Sequence, residues 1–324
     1  MNKRLIEKIL DRIPSHIKPI NYLMDNLDIG RESAYRRLRG DIPFALEEVV
    51  RLSRILEFSI DEALFEKKAN RIYIDAPAEY SDPSKSFFEM LRKYCSTLSQ
   101  VSAYENTEIH AAQNRLPLSM IIRNEHLFRF FYYYRYISVH HDNAQKECFF
   151  SQTVIPEEIM SYRNEFIKQM PNIHRYCYIV NSRSFFLSVC REIQFCFSRH
   201  LITANEVSLL QNALFDLLGY IKKIVVKGVD DCCNNILFYL SFPEVGANNT
   251  SISFGENMVS QFWIYYNHFI EIRNAEVCLM HRNLFETMKK YSILITRSNE
   301  IFQTKFIDQQ QQHIDNITQE FLYV

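Results

Sequence analysis

The sequence predicts a mainly α protein, α+β overall. It has an N-terminal helix-turn-helix bundle and a larger helix-rich domain with a small antiparallel sheet. Three observations lead there. Apolar residues recur at helical spacing through the first 65 residues, broken by short turns. Short aromatic and β-branched runs read as strands from residue 148 on. The chain has 324 residues, 47% of them hydrophobic, which suits two or three domains and is too long for one small module.

Taken in order, Leu5, Ile6, Ile9 and Leu10 make residues 2–12 an amphipathic helix. Pro14 ends it and Ser15 can cap the next helix. Ile20, Leu23, Met24 and Leu27 form the apolar face of that second helix, which starts near residues 16–18. Asp28 and Gly30 flank a sharp turn. The third helix, IGRESAYRRLRG, crowds Arg31, Arg36, Arg37 and Arg39 into about three turns, opposed only by Glu32. Ala34 and Leu38, four apart, share one face and leave the arginines on the remaining surface. Arginine binds phosphates and pairs bidentately with guanine edges in the major groove. A solvated arginine-rich face is the alternative for the same residues. Phe44, Leu46, Val49, Val50, Leu52, Ile55 and Leu56 mark a fourth helix. Ser59 caps a short fifth with Ile60, Ala63 and Leu64 inward.

These residues carry a resemblance. SAYRRLRGDIPFALEEVVRLSRILEFSIDEAL resembles the last three helices of the lambda-repressor/Cro-like (XRE) helix-turn-helix family, and the similarity spans roughly residues 2–66. It implies a third helix lying in the major groove of double-stranded DNA. The implied contact residues are Arg31, Glu32, Ser33, Tyr35, Arg36, Arg37 and Arg39, with Ser15, His16 or Lys18 touching phosphate at the start of the second helix. The sequence departs from the family pattern at four places. Met24 replaces a small residue, Asp28 a turn glycine and Arg37 a commonly apolar position, and the glutamine opening the second helix is missing. In layout, and in blocks such as MKKYSILITRSNE, the whole chain is similar to long XRE-like regulators of Bacteroidetes-type bacteria.

The domains expected are 1–70, the helix-turn-helix; 71–105, a hinge rich in proline and serine with a connector helix from Ser84 to Val101; and 106–324, the sensor or dimerisation domain. Within the last, residues 107–115 read as polar. Asn124 caps an aromatic helix over 125–139, and Arg129 and Arg135 snorkel outward from it. Residues 148–155 and 176–180 read as strands. Helices come next over 185–200 and, capped by Thr203, on to Gly228. Residues 236–242, 250–254 and 262–272 read as strands, and helices near 277–288 and 298–321 close the chain.

Net charge is -1, so nucleic acid would have to be met by a local patch. Eight scattered cysteines without a CxxC read as reduced thiols of a cytoplasmic protein. The N-terminus lacks the apolar core of a secretory signal, and no continuous apolar stretch is long enough to span a membrane. His140, His141, Asp142 and Cys148 match no metal-site spacing, and Cys232-Cys233 reads as incidental. No catalytic fingerprint occurs, so neither enzyme activity nor a cofactor is expected. The aromatic stripes read as core. The function expected is a DNA-binding transcription regulator, a homodimer through its C-terminal region, with a small-molecule or peptide effector left open. The rival is a protein-interaction scaffold that keeps the bundle for docking.

Overall fold

The computed structural model describes residues 2–13, 17–56, 58, 60, 82–139, 149–265 and 268–319. The chain divides into two compact units, Met1–Ile74 and Asp75–Val324.

The first unit holds α1 (Asn2–Arg12), α2 (Pro19–Leu27), α3 (Arg31–Arg39) and α4 (Leu46–Ile55). Leu5, Ile6, Ile9, Leu23, Leu27, Ala34, Val49 and Leu52 meet in one core. Pro19 opens α2, where its missing N–H costs nothing and its fixed φ suits a helix. Asp28 ends α2 in the left-handed conformation, φ 55°, its N–H donating to the Met24 carbonyl. Gly40 ends α3 at φ 83°, a conformation that glycine adopts without strain. Ala45 has no side-chain oxygen with which to cap α4. Instead the Glu48 carboxylate reaches back and accepts the Ala45 N–H at 2.9 Å. Leu46, counted on the apolar face from sequence, is 74% exposed because it lies at the helix start, turned away from the core. The cap assigned to Ser15 and most of the fifth helix fall outside the described residues; Ile60 is helical and half-buried.

The second unit corrects the expected sheet. It is a seven-stranded mixed sheet of order β6-β5-β4-β1-β2-β3-β7. The strands are β1 (Glu108–Gln113), β2 (Arg175–Asn181), β3 (Asn235–Ser241), β4 (Asn249–Phe254), β5 (Asn257–Tyr265), β6 (His268–Ile272) and β7 (Ile293–Leu294). β1, β2 and β3 run parallel, and the other pairings are antiparallel. Parallel neighbours need crossovers. These are α6 (Leu118–Ile121), α7 (Glu125–Val139) and α8 (Glu157–Gln169) between β1 and β2, then α9 (Leu187–Ser198) and α10 (Ala204–Lys227) between β2 and β3. α5 (Pro83–Val101) precedes β1, and α11 (Ala275–Lys290) and α12 (Glu300–Asp315) come after the hairpin of β5 and β6.

The polar segment at 107–115 thus contains the central strand. Glu-Ile-His-Ala-Ala-Gln lacks a strand's usual composition, yet it is buried between β2 and β4 on both edges. Ile109 and Ala111 face the larger core, and Ala112 faces a smaller one with Cys177, Ile179 and Phe285. The strand expected at 148–155 is absent over its described part. Phe150–Gln152 is a 3-10 turn whose Phe150 ring enters the core. The Arg129 guanidinium there donates to the carbonyls of Phe150, Ser151 and Thr153 at 3.1–3.2 Å. Arg135 is buried at 4% exposure, against the Phe131 ring and the Phe131 carbonyl. Neither arginine snorkels, because carbonyls and ring faces satisfy them inside. The single strand expected at 262–272 is the end of β5 and all of β6.

The expected connector helix is α5. Its Phe87, Leu91, Cys95 and Leu98 are buried in the second unit's core, so it belongs there. Asp82 caps it through the Ser84 N–H at 2.8 Å. Other signals held. Asn124 accepts the Leu127 N–H, and Thr203 and Glu206 form a reciprocal capping box at the start of α10. No described helix is long and apolar enough to cross a membrane.

Gly228 ends α10 at φ 70°, and a Cβ there would collide with the Arg297 guanidinium, which donates to the Lys227 carbonyl at 2.6 Å. Gly228→Ala is therefore expected to destabilise the protein by about 1–2 kcal/mol, read as a lower urea midpoint, while Gly219→Ala in the middle of α10, where a Cβ meets nothing, should be neutral or stabilising.

Candidate nucleic-acid interface

α2 and α3 are joined by Asp28, Ile29 and Gly30, a three-residue turn of helix-turn-helix length. Ala34, fully buried, is the pivot of α3. A small side chain there lets the backbone of α3 approach the core closely. With Ala34 inward, Arg31, Glu32, Tyr35, Arg36 and Arg39 are all exposed. Lys18 is exposed at the extended residue that begins α2.

The arginines divide by partner. Arg37 is half-buried and committed within the unit. Its Nε and Nη2 donate to the two Glu48 carboxylate oxygens, both at 2.9 Å, and its Nη1 to the Ser33 hydroxyl. It therefore stands where an apolar residue could have packed, tying α3 to α4 by a bidentate ion pair. Ser33 and Arg37, counted among DNA contacts from sequence, are turned to this internal bond. Arg39 leans over the Tyr35 ring, 5.6 Å from its centroid, and lies 3.6 Å from Asp41, a surface pairing worth little. Among the described residues, Arg31 and Arg36 have no ion-pair partner. The face thus offers two unpaired guanidiniums and one stacked on a tyrosine, with Glu32 at the first turn.

In the second unit the structure assembles a constellation that sequence spacing could not nominate. His281 on α11 lies between Ser260 of β5 and Asn249 of β4. Its Nε2–H donates to Asn249 Oδ1 at 2.9 Å, and its Nδ1 accepts from the Ser260 hydroxyl at 2.8 Å. The Asn249 amide donates to the Ala247 carbonyl, which fixes its orientation. Serine, histidine and asparagine line up as in a nucleophilic relay. All three are buried, Ser260 completely, so no substrate reaches the hydroxyl and the group works as an internal polar tie. A second pair lies nearby on β1: His110 Nε2 is 3.0 Å from Glu108. That contact, with Arg175 close by, holds the Glu108 carboxyl down at about 2.

Cys95, Cys177, Cys190 and Cys196 are free, and burial pushes each thiol up to about 12, which leaves them protonated and unreactive. Cys232 and Cys233 are exposed and not bonded to each other. Among the described residues no cluster of histidine, cysteine and carboxylate side chains could hold a metal ion. The histidine pair at 140–141 and Cys148 fall outside those residues. No protein-family profile, curated protein or solved structure matches the chain.

Glu48→Ala is expected to cost the first unit more stability than Glu47→Ala, by about 1–2 kcal/mol, because Glu48 holds both Arg37 and the start of α4. Chemical denaturation of the two variants side by side checks this. A further expectation concerns pH. Burial lowers His281 to about 4, so the folded protein keeps it neutral while the unfolded chain protonates it near 6.5. Between those values the unfolded state binds more protons, so stability falls as pH drops through the window, by up to about 3 kcal/mol. Thermal melts across pH 4–7 should show this slope. His281→Gln should be less stable at pH 7 but have a shallower slope.

Proposed function

We propose that the first unit binds duplex DNA as a sequence-specific regulator, with α3 in the major groove. The observation that carries this is the exposed face of α3. Arg31, Tyr35, Arg36 and Arg39 project together from a helix seated on Ala34, and neither Arg31 nor Arg36 is taken by a described carboxylate. In this reading Arg36 and Arg31 reach base edges or phosphates, Tyr35 supplies an apolar and hydroxyl contact, and Arg39 and Lys18 hold phosphates. Glu32 can accept from a cytosine amino group. Arg37 and Ser33 do not read DNA; they fix the tilt of α3 through Glu48. One such module buries little surface. A homodimer with its two α3 helices about 34–36 Å apart would supply useful affinity. The second unit, with its large core, is the part to hold such a dimer.

The test is selection of duplexes by the full chain from a random pool across salt concentrations. An enriched, two-fold symmetric site with a steep salt slope is expected. Arg36→Glu with Arg39→Glu should weaken binding to that site at least about 100-fold, each lost contact costing about 1–3 kcal/mol, with the thermal midpoint little changed. Arg37→Met should instead lower stability first. If the charge swap leaves DNA binding unchanged, or no duplex is enriched at any salt, the bundle serves as a protein-docking module instead.

A further inference from the structure

The second unit holds a cavity of about 70 Å³ against β1, from Ile109 to Gln113. It lies where the sheet changes sense: β1 is parallel to β2 on one side and antiparallel to β4 on the other. Ligand sites are concave and mostly apolar, with a few placed polar groups, and the lining here has that make-up. The walls are aromatic, with Tyr94 from α5, Phe131 from α7, Tyr176 and Tyr178 from β2 and Trp263 from β5. Ala111 is its small floor. The aromatic stripes that composition assigns wholly to core therefore also line a chamber.

Every polar side chain on its lining carries a donor, and the two arginines are donors only. Gln113, Ser119, Arg115 and Arg135 lie on the lining. Arg115 donates to Glu192, Arg135 to the Phe131 carbonyl, and Ser119 shares a bond with the Tyr178 hydroxyl at 3.4 Å. The side-chain carbonyl oxygen of Asn248, also on the lining, is already engaged by the Asn114 N–H at 2.8 Å. Burial raises the phenols of Tyr94, Tyr176 and Tyr178, so all three stay protonated. Among the described residues no group bonds the hydroxyls of Tyr94 or Tyr176, and neither oxygen is sealed off from open space. A site lined by donors calls for a guest rich in acceptors.

Size narrows the guest further. A water needs about 10–15 Å³ of such space, so the cavity has room for roughly five or six heavy atoms. A dry cavity of about 150 Å³ is what holds benzene, so a substituted ring such as benzoate, with nine heavy atoms, does not fit. We propose that this cavity is a binding site for a short-chain aliphatic carboxylate, of the size of propionate or butyrate. Its alkyl part packs against Ala111 and the aromatic walls, and its oxygens accept from the tyrosine hydroxyls and the neighbouring donors. The proposal stands independently of DNA binding, since its measurement uses no DNA.

The experiment is calorimetric titration and thermal melting of the full chain with sodium propionate and butyrate, against propionamide, benzoate and sodium chloride. Saturable heat and a rise of a few degrees in midpoint are expected for the two short carboxylates only. Ala111→Val, which puts two extra carbons into the chamber without unfolding a strand, should abolish the binding. Tyr176→Phe, which keeps the ring and removes one donor, should weaken it about tenfold. Circular dichroism should show both variants folded. Absence of saturable binding by either carboxylate overturns the proposal. So does equal binding of propionamide or benzoate, or full binding by Ala111→Val.

Discussion

Parallel pairing of β1, β2 and β3 is the constraint on which the rest of the second unit depends. A parallel neighbour cannot be reached by a tight turn, so each connection must leave the sheet and return across a face. That requirement places α6, α7 and α8 in the first crossover and α9 and α10 in the second. It lays the aromatic helix α7 over the sheet, where Phe128 and Tyr133 become fully buried. It also makes β1 a central strand, hydrogen-bonded on both edges and covered on both faces. Small side chains suit such a place. Ala111 and Ala112 keep both layers close, and Ala111 leaves the space that becomes the cavity.

Several buried polar groups in this unit tie distant elements together. Arg129 spends its guanidinium on three carbonyls of the Phe150 turn, replacing the ladder that a strand would have given them. His281 joins α11 to β4 and β5, with one ring nitrogen donating and the other accepting. Gln310 of α12 ties down the turn after β2, far from it in sequence, accepting from the Phe186 N–H and donating to the Ser182 carbonyl. Removing one partner of such a bond exposes the other to the full desolvation cost. These ties specify the arrangement more sharply than apolar packing could alone.

The first unit shows the same logic on a surface. Four arginines in nine residues are chemically equivalent until their neighbours are known. Arg37 meets Glu48 across eleven residues of chain and becomes structural. Arg39 stacks on Tyr35, and Arg31 and Arg36 stay open to solvent. Which arginine braces the bundle and which stays open to solvent is decided by where Ala34 seats the helix.

The four described helices α1 to α4 of the first unit were largely legible in the sequence, because they are local. Apolar residues at spacings of three and four, with Asp28 and Gly40, mark faces and ends without reference to distant chain, although α2 begins at Pro19 and not at the residues 16–18 expected. The same holds for Asn124, and for Thr203 with Glu206, whose caps lie within three residues of what they bond. Strand β1 was not legible. Glu-Ile-His-Ala-Ala-Gln has a single branched residue, Ile109, and no clear alternation, and becomes a strand only by pairing with chain about 65 and 140 residues away. The buried state of Arg135, the commitment of Arg37 to Glu48 and the Ser260–His281–Asn249 tie were hidden for the same reason. The sequence by itself determined the helices, their caps and an arginine-rich third helix, since those depend on neighbours within a turn or two. Only the tertiary structure decided the order and sense of the strands, the cavity and the role of each arginine, since those depend on contacts between residues far apart in the chain.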